Sequence, residues 1–157
     1  YVVELDGYLL GLRNLNSILF VDRETGESRW VLGGDETDFE LVGEGDWFLL
    51  AHQFDWLGDG LLLFDNRSVQ EHRSRVVEYE FDWDQMTISE RWTYVPDASP
   101  YCYALGDVAR IDSGRTQVIW SAQGTVEHLS EHGIVHWRVR TGLGTALGYS
   151  QWLPRVD

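Results

Sequence analysis

Three stretches of this chain repeat one plan, and that repetition constrains the fold more than any other feature. They are ILFVDRETGESRWVL at 18–32, VVEYEFDWDQMTISERWTYV at 76–95 and TVEHLSEHGIVHWRVR at 125–140. Each has an apolar run of strand length, a turn marked by Gly or polar residues, and a second run carrying a tryptophan. Trp30, Trp92 and Trp137 follow Arg29, Arg91 and His136, so a basic or protonatable neighbour recurs with the ring. No stretch longer than two turns shows helical periodicity.

The segments between the repeats read the same way. Residues 1–13 hold two short apolar runs around the tight-turn signal Asp6-Gly7, and 14–17 is a polar break. Gly33-Gly34 opens an acidic connection to Asp46, read as a loop crossing from one unit to the next. Strands are expected at 47–57 and 61–65, split by Gly58-Asp59-Gly60. Residues 76–82 alternate apolar and acidic side chains, the pattern of a strand with one wet face. Residues 96–100 form a loop, after which ALGDVARID, TQVIWSA, TVEHLSE and IVHWRVR restart the strand pattern.

A unit of four short strands with a tryptophan on an outer strand, recurring at about 40–60 residues, is the pattern of β-propeller blades. The expected fold is all-β, with complete blades at 47–95 and 103–140. A blade remnant lies at 1–34, and 141–157 starts a closing blade or forms a C-terminal segment. That is about half a propeller, and an open half would expose sheet edges and apolar faces. Closure is therefore expected through a second copy or a missing N-terminal half.

Composition excludes several functions. The formal charge of −14 would repel a phosphate backbone or an anionic bilayer, so neither nucleic acid nor membrane insertion is expected. No apolar run approaches the roughly 20 residues of a membrane span. All twelve basic residues are arginine, planar forks suited to carboxylate, phosphate or sulfate oxygens. Cys102 is alone, so no internal disulfide framework exists. The chain opens on Tyr1 within a strand-like run and shows no signal peptide, as expected of a mature or truncated product.

Chemistry concentrates between Phe48 and Asp82. His52 stands on one apolar run, a second run ends in Phe64-Asp65-Asn66, and Arg67, His72, Arg73 and Arg75 follow. Histidine and arginine at strand ends suit an anionic ester; the same residues also suit blade edges and a solvated loop. Asp65 and Asn66 are natural turn-capping residues. His128, His132 and His136 fall at intervals of four, but Gly133 and the strand pattern argue against one helical face, so no metal site is expected. No phosphate loop, dinucleotide fingerprint or nucleophile elbow is present, and no cofactor is expected.

The runs RNLNSILFVDRETGESRWVLGG, FLLAHQFDWLGDGLLLFDN, SRVVEYEFD and ERWTYV resemble the arylsulfotransferase (aryl-sulfate sulfotransferase) family, and YSQWLPR resembles its C-terminal segment. The resemblance covers nearly the whole chain and places it in the C-terminal half of such a protein. It implies a six-bladed propeller of the quinoprotein type, periplasmic or extracellular. It also implies sulfuryl transfer from a phenolic sulfate ester to a phenol, through a histidine in the central channel.

Carried onto this chain, the resemblance makes His52 and Arg67 catalytic; Asn66 and Arg75 are candidate substrate contacts, with Arg75, within Ser-Arg-Val-Val, also read as a structural tie that holds a blade edge by hydrogen bonds. The His52 match is offset by one position unless a gap falls in the Gly58–Gly60 turn, and such a slip reverses a strand's faces. The glycines that flank the family's arginine are missing around Arg67. The family's nucleophilic histidine is expected near Ser121 and Ala122, where this chain has none. The alternative class is therefore a non-catalytic propeller that binds a small anion, a glycan or a protein.

Overall fold

A computed structural model describes residues 1–97, 101–111, 114–142 and 147–149. Their twelve strands form three antiparallel sheets laid side by side, with one added parallel strand. The first sheet is β1 (Gly7–Leu12), β2 (Ser17–Asp22) and β3 (Ser28–Leu32). The second runs in the order β4-β8-β7-β6-β5, from β4 (Glu40–Leu41), β5 (Phe54–Trp56), β6 (Gly60–Asp65), β7 (Arg75–Asp82) and β8 (Thr87–Tyr94). The third is β9 (Asp107–Arg110), β10 (Thr116–Trp120), β11 (Thr125–Leu129) and β12 (Val135–Arg140).

The repetition in the sequence is a repetition of turns as well as strands. A three-residue 3₁₀ turn at Arg13–Leu15 joins β1 to β2, and Ser121–Gln123 joins β10 to β11. Both close on a left-handed residue, Asn16 (φ 54°) and Gly124 (φ 60°). Strand β10 therefore ends at Trp120 rather than continuing through Ser121 and Ala122 as the run TQVIWSA suggested. In the second sheet the equivalent connection is the longer loop between Asp65 and Arg75, which carries the arginines and His72.

Burial explains why the middle sheet reads as it does. All six residues of β6, GLLLFD, are buried, because this sheet is packed on both faces. Leu61 and Leu63 join Ile18, Phe20, Trp30 and Leu32 of the first sheet. Leu62 and Phe64 join Val108, Val118, Trp120 and Leu129 of the third. A continuous apolar run of strand length has this meaning when no face is left to water.

Two expectations are corrected. The acidic face of β7 is wet only in part: Glu80 and Asp82 are exposed, as the alternation predicts, but Glu78 is 5% exposed, because Arg110 of the third sheet packs against it. Its carboxylate accepts from Arg91 Nε at 2.6 Å and pairs with Arg110 across the inter-sheet contact. A buried acid needs such partners, and the alternation alone could not reveal them. Secondly, 47–57 is not one regular strand. Leu50 takes φ 55°, with its N–H held by Asn16 Oδ1 at 2.8 Å, so ladder geometry begins only at Phe54. The kinked segment still follows β6, through His52 N to Phe64 O at 3.1 Å and Arg67 N to Leu49 O at 2.9 Å.

The acidic connection at 33–46 contributes β4, which runs parallel to β8 and covers that sheet's outer edge. Most of the closing segment expected at 141–157 lies outside the described residues.

Candidate functional site

Strands β5 and β9 are the terminal strands of neighbouring sheets, and they come together on the same side of the molecule. Between them lies an open groove of about 760 Å³, lined by His52, Phe54, Asp55, Asp107 and Tyr149, among others. His52 is half-buried, and its Nδ1 lies 3.2 Å from Gly106 O. A carbonyl oxygen only accepts, so Nδ1 is the protonated nitrogen and Nε2 of the neutral ring keeps its lone pair. Gly106 holds that carbonyl in place: it sits at φ 102°, and its N–H donates to Ser121 Oγ at 2.9 Å. An added Cβ there would fall 2.3 Å from Phe64 Cε1, so glycine alone fits.

Asp55 enters the groove from β5. Its Oδ2 accepts the Arg110 backbone N–H at 3.0 Å. Burial pushes the Asp55 carboxyl above its ordinary range, against the opposing pull of Arg110. Reasoning from sequence overlooked this residue; a lone carboxylate within the run FDW, three positions after His52, was the available signal.

The other expected site residues lie elsewhere. Asp65 is fully buried and receives Leu49 N–H at 2.9 Å, Arg67 N–H at 3.1 Å and Arg75 Nε at 2.8 Å. Arg75 also donates to Glu90 Oε1 at 2.6 Å and Asp46 O at 2.8 Å, and Tyr79 Oη donates to that same carbonyl at 2.6 Å. These bonds strap the incoming connection onto the second sheet. Arg67 is turned the same way, pairing with Glu71 and donating to Trp47 O at 3.0 Å.

Asn66 clamps one sheet to the next. Its Nδ2 donates to Cys102 O at 2.6 Å and Leu105 O at 2.8 Å. Asn16, at the matching corner of the first sheet, also bridges to the next, but as an acceptor: its Oδ1 takes the Leu50 N–H at 2.8 Å. The Phe64-Asp65-Asn66 corner is thus the joint between blades, and none of Asn66, Arg67 and Arg75 lines the groove of His52. Cys102 is buried in this joint, its Sγ 3.0 Å from Gln123 Oε1.

The remaining histidines do not converge. His128 is buried on β11 against Trp137, with Nε2 2.9 Å from Gln117 Oε1, while His132 and His136 are exposed. Among the described residues, no three His, Cys, Asp or Glu side chains are grouped so as to hold a metal ion. No helix among them is long and apolar enough to cross a membrane.

Three adjoining sheets of short antiparallel strands, related by repeated turns and repeated joints, define part of a β-propeller. The chain belongs to the arylsulfotransferase (ASST) family, whose model matches residues 3–142. Among solved structures it is similar to BamB from Moraxella catarrhalis, at 16% identity and a TM-score of 0.47. That match covers 86% of this chain and 34% of BamB. A protein of unknown function from Bacteroides caccae matches at 14% identity and a TM-score of 0.47, over 88% of this chain and 42% of the other. The chain thus spans well under half the length of these structures. No curated protein matches it.

Proposed function

We propose that the groove between β5 and β9 is a substrate site for sulfuryl transfer between phenols, with His52 as the sulfuryl acceptor. The observation that carries this reading is the bond from His52 Nδ1 to Gly106 O, which orients the ring and leaves Nε2 with its lone pair. In the first step Nε2 would attack the sulfur of an aryl sulfate. The S–O bond to the ring breaks, and the phenolate leaves to take up a proton. In the second step the oxygen of an acceptor phenol attacks the same sulfur, the N–S bond breaks, and the phenolic proton passes to a base or to water. A periplasmic or extracellular setting goes with this reading through the family.

A second reading, a binding blade without catalysis, is favoured by one specific observation. No arginine lines the groove among the described residues, and removing one oxyanion-type donor typically costs about 2.7–4 kcal/mol of transition-state stabilisation. Arg67, expected to supply it, is engaged with Glu71.

The test is release of 4-nitrophenol from 4-nitrophenyl sulfate with phenol as acceptor, on the wild-type protein and on His52→Ala. Transfer is expected in the first and loss of it in the second, together with a sulfonated His52 peptide trapped by omitting the acceptor. Turnover that survives His52→Ala would sink the assignment. No turnover at all would favour the binding reading.

A further inference from the structure

The groove's electrostatics suit a ligand different from a simple phenol. Its described lining contains one imidazole, two carboxylates and two aromatic rings, Phe54 and Tyr149, and no guanidinium. Asp107 is buried and held in contacts of its own. Asp55 is different: among the described residues its one hydrogen bond is accepted from the backbone N–H of Arg110. The Arg110 guanidinium is spent elsewhere, on Glu78, on Thr116 Oγ1 at 2.7 Å and on Gly114 O at 3.1 Å. The carboxylate is therefore half-buried, feels the Arg110 charge but makes no ion pair among the described residues, and faces a hollow large enough for an organic molecule.

Such a group is costly to leave uncompensated, and a charged donor from outside would satisfy it. The flanking rings add surface for an aromatic body and a favourable face for a cation. The overall charge of −14 draws cations toward the surface as a whole. An aryl sulfate bears the opposite charge, so Asp55 would discriminate among phenolic substrates rather than aid all of them.

We propose that this groove selects aromatic ligands that carry a protonated amine, with the ammonium group donating to Asp55 and the ring lying between Phe54 and Tyr149. The proposal builds on the transferase reading by naming its substrate class: phenols, or their sulfate esters, that carry an alkylammonium arm. Asp55 acts here as a specificity-determining residue, and the burial that raises its carboxyl is the same burial that strengthens its pull on a cation.

The experiment is calorimetric titration of the full chain with three ligands of similar size: tyramine, 4-ethylphenol and 4-hydroxyphenylacetate, at neutral pH. Tyramine is expected to bind about tenfold or more tightly than 4-ethylphenol, and the acetate most weakly. Asp55→Asn, checked for wild-type circular dichroism and melting, is expected to erase the gap between tyramine and 4-ethylphenol, while Asp55→Glu keeps most of it. Equal affinity for the three ligands in the wild type would overturn the proposal. So would a gap that persists in a folded Asp55→Asn variant. Should the Asn variant not fold, the wild-type ranking and its retention in Asp55→Glu carry the test. If 4-nitrophenyl sulfate is never turned over but the Asp55-dependent preference stands, the transferase reading fails and the groove's selectivity is supported.

Discussion

Replacing Asp65 by Asn tests whether the Phe64-Asp65-Asn66 corner is a joint or a reactive centre. The carboxylate is fully buried and meets Arg75 Nε at 2.8 Å, with two backbone N–H groups on its other oxygen. Removing one partner of a buried ion pair typically costs about 3–5 kcal/mol, because the remaining charge is stranded. Here Arg75 keeps Glu90 at 2.6 Å and its side chain is 12% exposed, and the new amide oxygen still accepts one N–H. The expected loss therefore falls at or below the bottom of that range, about 2–3 kcal/mol. For a domain of this size that corresponds to a fall in Tm of roughly 4–12 °C. Urea and thermal unfolding followed by tryptophan fluorescence would measure it, with Arg23→Ala as a control. Arg23 pairs with Asp6 on the exposed surface, where such a pair contributes only about 0–1 kcal/mol. A stability change under about 1 kcal/mol in Asp65→Asn, accompanied by loss of 4-nitrophenyl sulfate turnover, would refute the structural assignment and return the corner to the site.

Other consequences are equally direct. Gly106→Ala should destabilise by about 2–4 kcal/mol in urea unfolding, since it adds a clash with Phe64 to a backbone angle that disfavours a side chain. The same change should reduce any His52-dependent turnover by displacing the carbonyl that orients the ring. Burial pushes the Cys102 thiol up to about 11, so Ellman's reagent should fail to label the native protein and should react at the rate of unfolding. Asp22 is held at about 2 by the Thr25 backbone N–H and by Arg29, below its ordinary 3.8. A depressed carboxyl contributes stability above its unfolded value and loses it as pH falls toward the folded one. Stability should therefore decline between about pH 4 and pH 2, and Asp22→Asn should flatten that slope in acid unfolding curves.

The strands were legible wherever local chemistry decides them. Alternation, Gly turns and the repeated tryptophans located β2, β3, β7, β8, β11 and β12, since the deciding residues sit within a few positions of one another. Strand β5 was misjudged because its irregular approach depends on Asn16, which holds Leu50 from 34 residues away. On β7 only Glu78 departs from the wet face, because water at Glu80 and Asp82 and a neighbouring sheet at Glu78 favour the same alternation. Only the partners, Arg91 and Arg110, tell them apart.

The candidate site divides along the same line. Sequence by itself determined the class of fold, the family, the presence of His52 ahead of the Phe64-Asp65-Asn66 corner, and the lack of a histidine near Ser121. Tertiary structure alone decided what each polar side chain is for. It committed Asn66, Arg67 and Arg75 to the joint and strap, bonded His52 to Gly106 across a separation of 54 residues, and left Asp55 without an ion pair among the described residues. The physical reason is that strand formation is governed by neighbours along the chain. A buried charge is governed by whichever groups the packing of separate sheets brings within hydrogen-bonding distance.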